Sequence, residues 1–331
     1  MPKRLVKRAL VNSNVMQLAA RMTQPRAVVL MYHSVVEDPR QTANTIRISQ
    51  SRESFEWQMR ALAERFNPIT LDQVVDFAQQ RSDLPRRSVA VTFDDGFADN
   101  YEFVLPILAK YGIRATFYIM VNAVATGEPP WYCRLTYAFS TTKRHELTFG
   151  EPAIAYNLNK PEERMAALHT CWDSGSALTG DAQRQMVECV EQSLEVHPLD
   201  ASSKLMLNWD QVRAMHKAGH TIGGHTMSHP NLAHVPLDQA RSEIMGCKET
   251  LEGVLGVPLV HFAYPHPALN PQWSSETLAI TRDGGFKSAV LTTQGAVFRG
   301  DDPLCMMRVP ADERGYQWSW DVERAFLRNR A

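Results

Sequence analysis

Three short polar clusters in this 331-residue chain could do chemistry: Tyr32-His33, Asp94-Asp95-Gly96 and His225-Thr226-Met227-Ser228-His229. The spacing of His225 and His229 can present two imidazoles on one face of a turn. Two neutral imidazoles and one carboxylate leave open positions on a divalent ion, the arrangement a hydrolytic zinc needs. An ion held this way lowers the pKa of its bound water toward about 7 and polarises a carbonyl under attack. Hydrolysis also needs a base for that water and an acid for the leaving group. Adjacent carboxylates supply one ligand and one base, since consecutive side chains diverge and Gly96 permits the turn. His33 is then available as the acid, because imidazole titrates near neutral pH. A lone H-x-x-x-H is usually an accident of a helix surface and a lone Asp-Asp an N-cap. Their placement relative to strands is what gives them weight.

Each cluster follows a predicted strand, the third one the strand over 220–224. Ala27–Tyr32, Ser88–Phe93 and Ala115–Ile119 are apolar without polar alternation, as expected of strands covered on both faces. Between them, helical spacing at Phe55, Met59 and Leu62, at Leu71 through Phe77, and at Val104, Leu108 and Tyr111 sets up a βαβα rhythm and a parallel sheet. Residues of about 126–206 break the rhythm and read as a mainly helical, polar insertion, entered through Pro129-Pro130-Trp131. Trp131 and Tyr132 there could stack on a sugar ring or anchor the insertion. The pattern resumes with an N-cap at Asn208 backed by Gln211, a strand over 220–224 and a helix over 237–255 stopped by Gly256. Strands at His261–Tyr264 and Ser288–Leu291 flank a helix around 276–282. All three polar clusters sit past the C-terminal ends of strands, where parallel α/β folds build their sites. Asp99 and Asn100 are expected only to begin the helix after Gly96.

With 35 Lys plus Arg against 36 Asp plus Glu, the chain has a formal net charge of −1, which argues against nucleic acid as a partner. No apolar run is long enough for a transmembrane helix. Residues 1–25 form an N-terminal segment carrying Lys3, Arg4, Lys7 and Arg8, with an apolar stretch too short for a secretory signal. It reads as a basic surface helix, with peripheral contact to an anionic membrane as the sharper alternative. The cytoplasm, or the inner face of its membrane, is the expected location. Five cysteines, an odd number without a CxxC, indicate buried thiols in a reduced compartment rather than a disulfide scaffold.

Thr92-Phe93-Asp94-Asp95-Gly96 resembles the TFDDG motif of the polysaccharide deacetylases, the NodB-homology domains of carbohydrate esterase family four. His225-Thr226-Met227-Ser228-His229-Pro230-Asn231-Leu232 is similar to their H-[ST]-x-x-H-P-x-L motif, and Phe262-Ala263-Tyr264-Pro265 to their third motif. The resemblance covers roughly residues 27–125 and 205–310. It implies a distorted (β/α) barrel of about seven parallel strands, one domain over 26–325 interrupted by the insertion. Carried over by position, it implies Asp95, His225 and His229 as metal ligands, Asp94 as general base and His33 as general acid. It puts the oxyanion beside the backbone N–H of His266, with Tyr264 in the same loop. Two positions depart from the family. Ala263 replaces the arginine that orients the base, a role for which Arg308 is the candidate on another strand; Pro267 replaces a glycine and removes a backbone donor.

The expected activity is metal-dependent removal of N-acetyl groups from an amino sugar in a polysaccharide or glycan precursor. Zinc is the favoured ion, and cobalt, nickel and manganese tolerate the same ligands. An O-acetyl esterase or small-molecule amidase on the same fold, and a non-catalytic carbohydrate-binding module, stand as alternatives.

Overall fold

A computed structural model describes residues 25–38 and 49–327, together with Lys7, Met16 and Thr23. Most of the helix expected over 1–25 therefore lies outside the described residues. Seven parallel strands follow in chain order: β1 (Arg26–Tyr32), β2 (Ser88–Phe93), β3 (Ala115–Ile119), β4 (Thr221–Gly224), β5 (His261–Ala263), β6 (Ser288–Gln294) and β7 (Met306–Pro310). Each pairs with the next, and β7 returns to β1 with Leu30 opposite Val309, so the sheet closes into the expected barrel. Between β1 and β2 the register runs unbroken from Ala27 opposite Ser88 to Tyr32 opposite Phe93. That register brings the two strand ends, and the polar residues just beyond them, to the same level.

Alternation along the strands separates two layers of core. Val28, Leu30 and Tyr32 pack outward with helix residues such as Phe55 and Met59. Ala27 and Val29 pack inward with Ala90, Ala263, Val290 and Met306. The helix Leu71–Ala78, opened by a Thr70–Gln73 capping box, closes the inner layer with Leu71, Val74 and Val75. Small inward residues leave space for two large ones, Tyr118 and Arg308, whose guanidinium lies 5.8 Å from the Tyr118 ring centre. Gly223 is required by this packing: a Cβ there would come within 2.5 Å of the Tyr118 ring.

The interruption between β3 and β4 contains helices α1 (Trp131–Thr141), α2 (Pro161–Ser176) and α3 (Gly180–Ser193). It is helical as expected, but it also holds a hairpin, Glu146–Phe149 paired with Ile154–Asn157. Each hairpin strand buries only one residue, Leu147 or Tyr156, so no alternation announced it. Nor is the insertion simply polar, since Cys133, Leu135, Phe139, Leu168, Val187 and Val190 form a core of its own. A buried ion pair, Arg134 to Glu191 at 2.9 and 2.6 Å, locks α1 to α3. All five cysteines are free; Cys133, Cys171 and Cys247 are buried as expected, whereas Cys189 is exposed. No helix among the described residues is long and apolar enough to cross a membrane.

Candidate active site

β2 carries Thr92 inward and then turns sharply at Asp94-Asp95-Gly96, with Asp95 and Gly96 both left-handed at φ +75° and +82°. The Asp94 N–H still donates to the carbonyl of Tyr32 on β1 at 3.0 Å, which ties Asp94 to the end of the neighbouring strand. From the opposite wall, Arg308 on β7 reaches across the interior. Its guanidinium donates to both Asp94 oxygens at 2.7 Å, to Thr92 Oγ1 at 3.1 Å and to the Leu291 carbonyl at 2.9 Å. Arg308 is wholly buried (0% exposed), and it clamps Asp94 from another strand than the one that carries Ala263. Burial pushes the Asp94 carboxyl up, but Arg308 beside it, with His225 and His33, outweighs burial and holds the carboxyl below its ordinary value.

Asp95 turns the other way. Its Oδ1 lies 3.3 Å from His225 Nε2 and 3.4 Å from His229 Nε2. The His225 ring is oriented from behind by its Nδ1, 2.8 Å from the Ala263 carbonyl, which assigns the proton to Nδ1 and leaves Nε2 facing Asp95. Thr226 braces the loop: its hydroxyl donates to the His225 carbonyl at 2.6 Å and accepts the His229 N–H at 3.0 Å. Thr226 and His229 are also left-handed, at φ +66° and +61°. The ligand atoms of Asp95, His225 and His229 all lie within 4.8 Å of one another, and all three residues are buried. Asp95 Oδ1 has no hydrogen-bond partner. A buried carboxylate oxygen without a donor, facing two imidazole nitrogens, is a donor set that a divalent cation satisfies. The residues fit the ion.

His33, just beyond β1, places Nε2 3.9 Å from Asp94 Oδ2. Its strand exit is held by residues expected merely to start a helix. Asn100 donates to the His33 carbonyl at 2.8 Å, and the Ser34 hydroxyl donates to Asp99 at 2.5 Å. Asp99 and Asn100 lead into a π-helical turn, Asn100–Val104, and neither expectation nor local propensity foresaw that service. Glu243 was likewise missed. It lies on α4 (Leu237–Leu255) and accepts the N–H groups of Met227 and Ser228, both at 2.8 Å, and the Ser228 hydroxyl at 2.6 Å. A signal existed, because Glu243 interrupts the buried stripe formed by Ala240, Ile244, Cys247 and Leu251.

His33, Asp94, Asp95, His225 and His229 line one cavity of about 460 Å³, walled by Tyr132, Leu168 and Trp172 of the insertion and by Tyr264, His266 and Pro267. His266 is oriented by the Leu269 carbonyl at 3.0 Å from Nε2 and by Thr292 Oγ1 at 3.2 Å from Nδ1. Tyr264 is fully buried and donates to Thr281 Oγ1 at 3.1 Å, so it shapes the cavity floor. Trp131 does not line the cavity. Its ring is buried and its indole N–H donates to the His229 carbonyl at 3.2 Å, tying the insertion to the histidine loop. Tyr132, one residue on, faces the cavity instead.

The family model described as polysaccharide deacetylase matches residues 81–289. The chain belongs to this family. Among curated proteins, YxkH of Bacillus subtilis strain 168, which carries the same family name, is 30% identical over 97 residues, 29% of this chain and 32% of that protein. The poly-beta-1,6-N-acetyl-D-glucosamine N-deacetylase of Escherichia coli K12 is 31% identical over 86 residues, 25% of this chain and 12% of its own length. The matches thus span less than a third of either curated relative. The Streptococcus pyogenes deacetylase PplD, solved with acetate, superposes with a TM-score of 0.60 at 19% identity, covering 92% of this chain and 99% of that one. At that identity the likeness speaks for the fold.

Proposed function

We propose that this polysaccharide deacetylase hydrolyses the N-acetyl group of an N-acetylated amino sugar, with a divalent cation, zinc by preference, held by Asp95, His225 and His229. The observation that carries the reading is the division of labour between adjacent carboxylates: Asp94 clamped by Arg308, Asp95 turned to two imidazoles. A bound ion would supply Lewis-acid polarisation of the acyl carbonyl and a water of lowered pKa. Asp94, kept ionised by Arg308, accepts the proton of the attacking water. Arg308 prevents the carboxylate from rotating, so the base meets the water in one orientation. His33 gives a proton to the departing amine. One water is consumed, and acetate and a free amine leave. The loop of His266 and Pro267 borders the acyl group, where the His266 N–H is the backbone donor for developing negative charge. Kinship with a protein named for poly-beta-1,6-N-acetyl-D-glucosamine makes that polymer the first substrate to try. The intact set of His33, Asp94, Asp95, His225 and His229 weighs against a non-catalytic carbohydrate-binding module.

Acetate release should be measured on poly-N-acetylglucosamine, chitooligosaccharides, acetylated xylan and nucleotide sugars, with and without chelator. Release from an N-acetylated sugar, lost with chelator and restored by zinc, is the expected result. Release from acetylated xylan alone would replace this reading with an O-acetyl esterase. Chelator-resistant turnover would refute the metal site.

A further inference from the structure

The wall that the insertion adds to the cavity contains two buried polar atoms without a hydrogen-bond partner, Trp172 Nε1 and the Tyr132 hydroxyl, and the second belongs to a ring packed on His229. Tyr132 is buried (6% exposed), lines the cavity together with Asp94, Asp95 and His33, and its hydroxyl has no hydrogen-bond partner. A buried phenol ordinarily finds a partner, and leaving one unsatisfied is destabilising. Its surroundings are those of the reacting group. The Tyr132 ring centre is 4.9 Å from that of His229.

The helix turn that carries Tyr132 is also held in place. Trp131, its neighbour, is fixed to the His229 carbonyl; Arg134, two residues on, is fixed to Glu191; and the Thr136 hydroxyl donates to the Tyr132 carbonyl at 2.7 Å. Pro267, which lines the same cavity, brings no backbone N–H to the loop proposed to border the acyl group. The insertion therefore offers a donor to a cavity whose bordering loop lacks one at Pro267.

We infer that Tyr132 is a catalytic residue of this deacetylase, its hydroxyl donating a hydrogen bond to the acyl oxygen of the substrate as negative charge builds on it. The inference rests on the hydrolytic reading above. It makes the insertion part of the active site.

Tyr132→Phe removes the hydroxyl and keeps the ring. Four readouts on the full chain decide the matter. Turnover on the best N-acetylated substrate should fall by about 100-fold in kcat with little change in KM, the usual cost of an oxyanion donor. Zinc content after dialysis should equal that of wild type. Acetate, the product whose carboxylate oxygen sits where the acyl oxygen was, should bind the zinc-loaded variant several-fold more weakly by calorimetry. The melting temperature of the metal-free variant should match or exceed that of wild type, because an unsatisfied group has been deleted. Wild-type turnover in the variant would overturn the inference. So would loss of zinc, which would make the hydroxyl a support for Asp95, or a lowered metal-free melting temperature, which would reveal an internal partner. Should wild type release acetate from no substrate, the hydrolytic reading fails by itself; unchanged acetate affinity then overturns the Tyr132 assignment, and weakened affinity sustains the hydroxyl as an acyl-oxygen donor.

Discussion

Arg308→Met tests the centre of the barrel. Methionine retains an apolar stem of similar reach but discards the guanidinium, and with it two charge-assisted bonds of 2.7 Å to Asp94 and the contacts to Thr92 and Leu291. Asp94 is 2% exposed, and its other ion-pair partner among the described residues is His33 at 3.9 Å. Removing one member of a buried pair strands the other charge, which costs about 3–5 kcal/mol. The single Asp94→Asn replacement strands the cation and should cost a comparable amount. The double variant buries neither charge, so it should recover at least half of the summed loss, a coupling well beyond simple additivity. Arg308→Lys, with a point charge in place of a planar fork, should fall between wild type and methionine. Equilibrium urea unfolding at pH 7 with chelator present, followed by both fluorescence and circular dichroism, measures all four. If Arg308→Met loses less than about 1 kcal/mol, or if the double variant merely adds the two losses, the clamp is not the electrostatic support described here.

Three other perturbations separate the remaining roles. Asp95→Ala should abolish zinc retention through dialysis, whereas Asp94→Asn should retain zinc and lose turnover; elemental analysis beside acetate release reads both, and an active Asp94→Asn protein would end its assignment as base. Burial pushes the Asp99 carboxyl up to about 7, above its ordinary value of 3.8. The folded state therefore holds this proton more tightly than the unfolded chain, and its contribution, full below about pH 4, is lost as pH rises through about 7. Asp99→Asn should flatten that part of the stability–pH curve in thermal melts, and an unchanged slope would contradict it. Gly223→Ala forces a Cβ to within 2.5 Å of the Tyr118 ring. It should destabilise by about 1–3 kcal/mol as overpacking does, with a fall in melting temperature as the check.

Much of this architecture is legible in the sequence because parallel barrel strands are continuous apolar runs. Ser88–Phe93 and Ala115–Ile119 have the predicted limits, and the capping box at Asn208 and Gln211 opens its helix as predicted. Arg308 was legible by default, as a candidate for the function missing at Ala263. The strand that carries it was not: Met306–Pro310 mixes an arginine and a proline into five residues and has no strand signature of its own. Trp131 and Tyr132 illustrate another limit. Adjacent residues on a helix point about 100° apart, and only the packing of α1 decides which of the two aromatics meets the cavity. The bonds from Asn100 and Asp99 to the His33 and Ser34 strand join residues more than sixty positions apart, which no local pattern encodes.

Two of the three residues proposed to hold the ion, Asp95 and His229, and the threonine that braces their loop sit on left-handed backbone. For a β-branched residue such as Thr226 that conformation is rare and costs about 1–2 kcal/mol. The expense is met when the chain folds, before any ion arrives, by the bonds from Thr226, Glu243 and Tyr32 that hold the two turns. On the proposed reading, ion uptake would then have no loop to order, and its affinity would reflect the exchange of water and protons for ligands at a site already shaped in the metal-free protein.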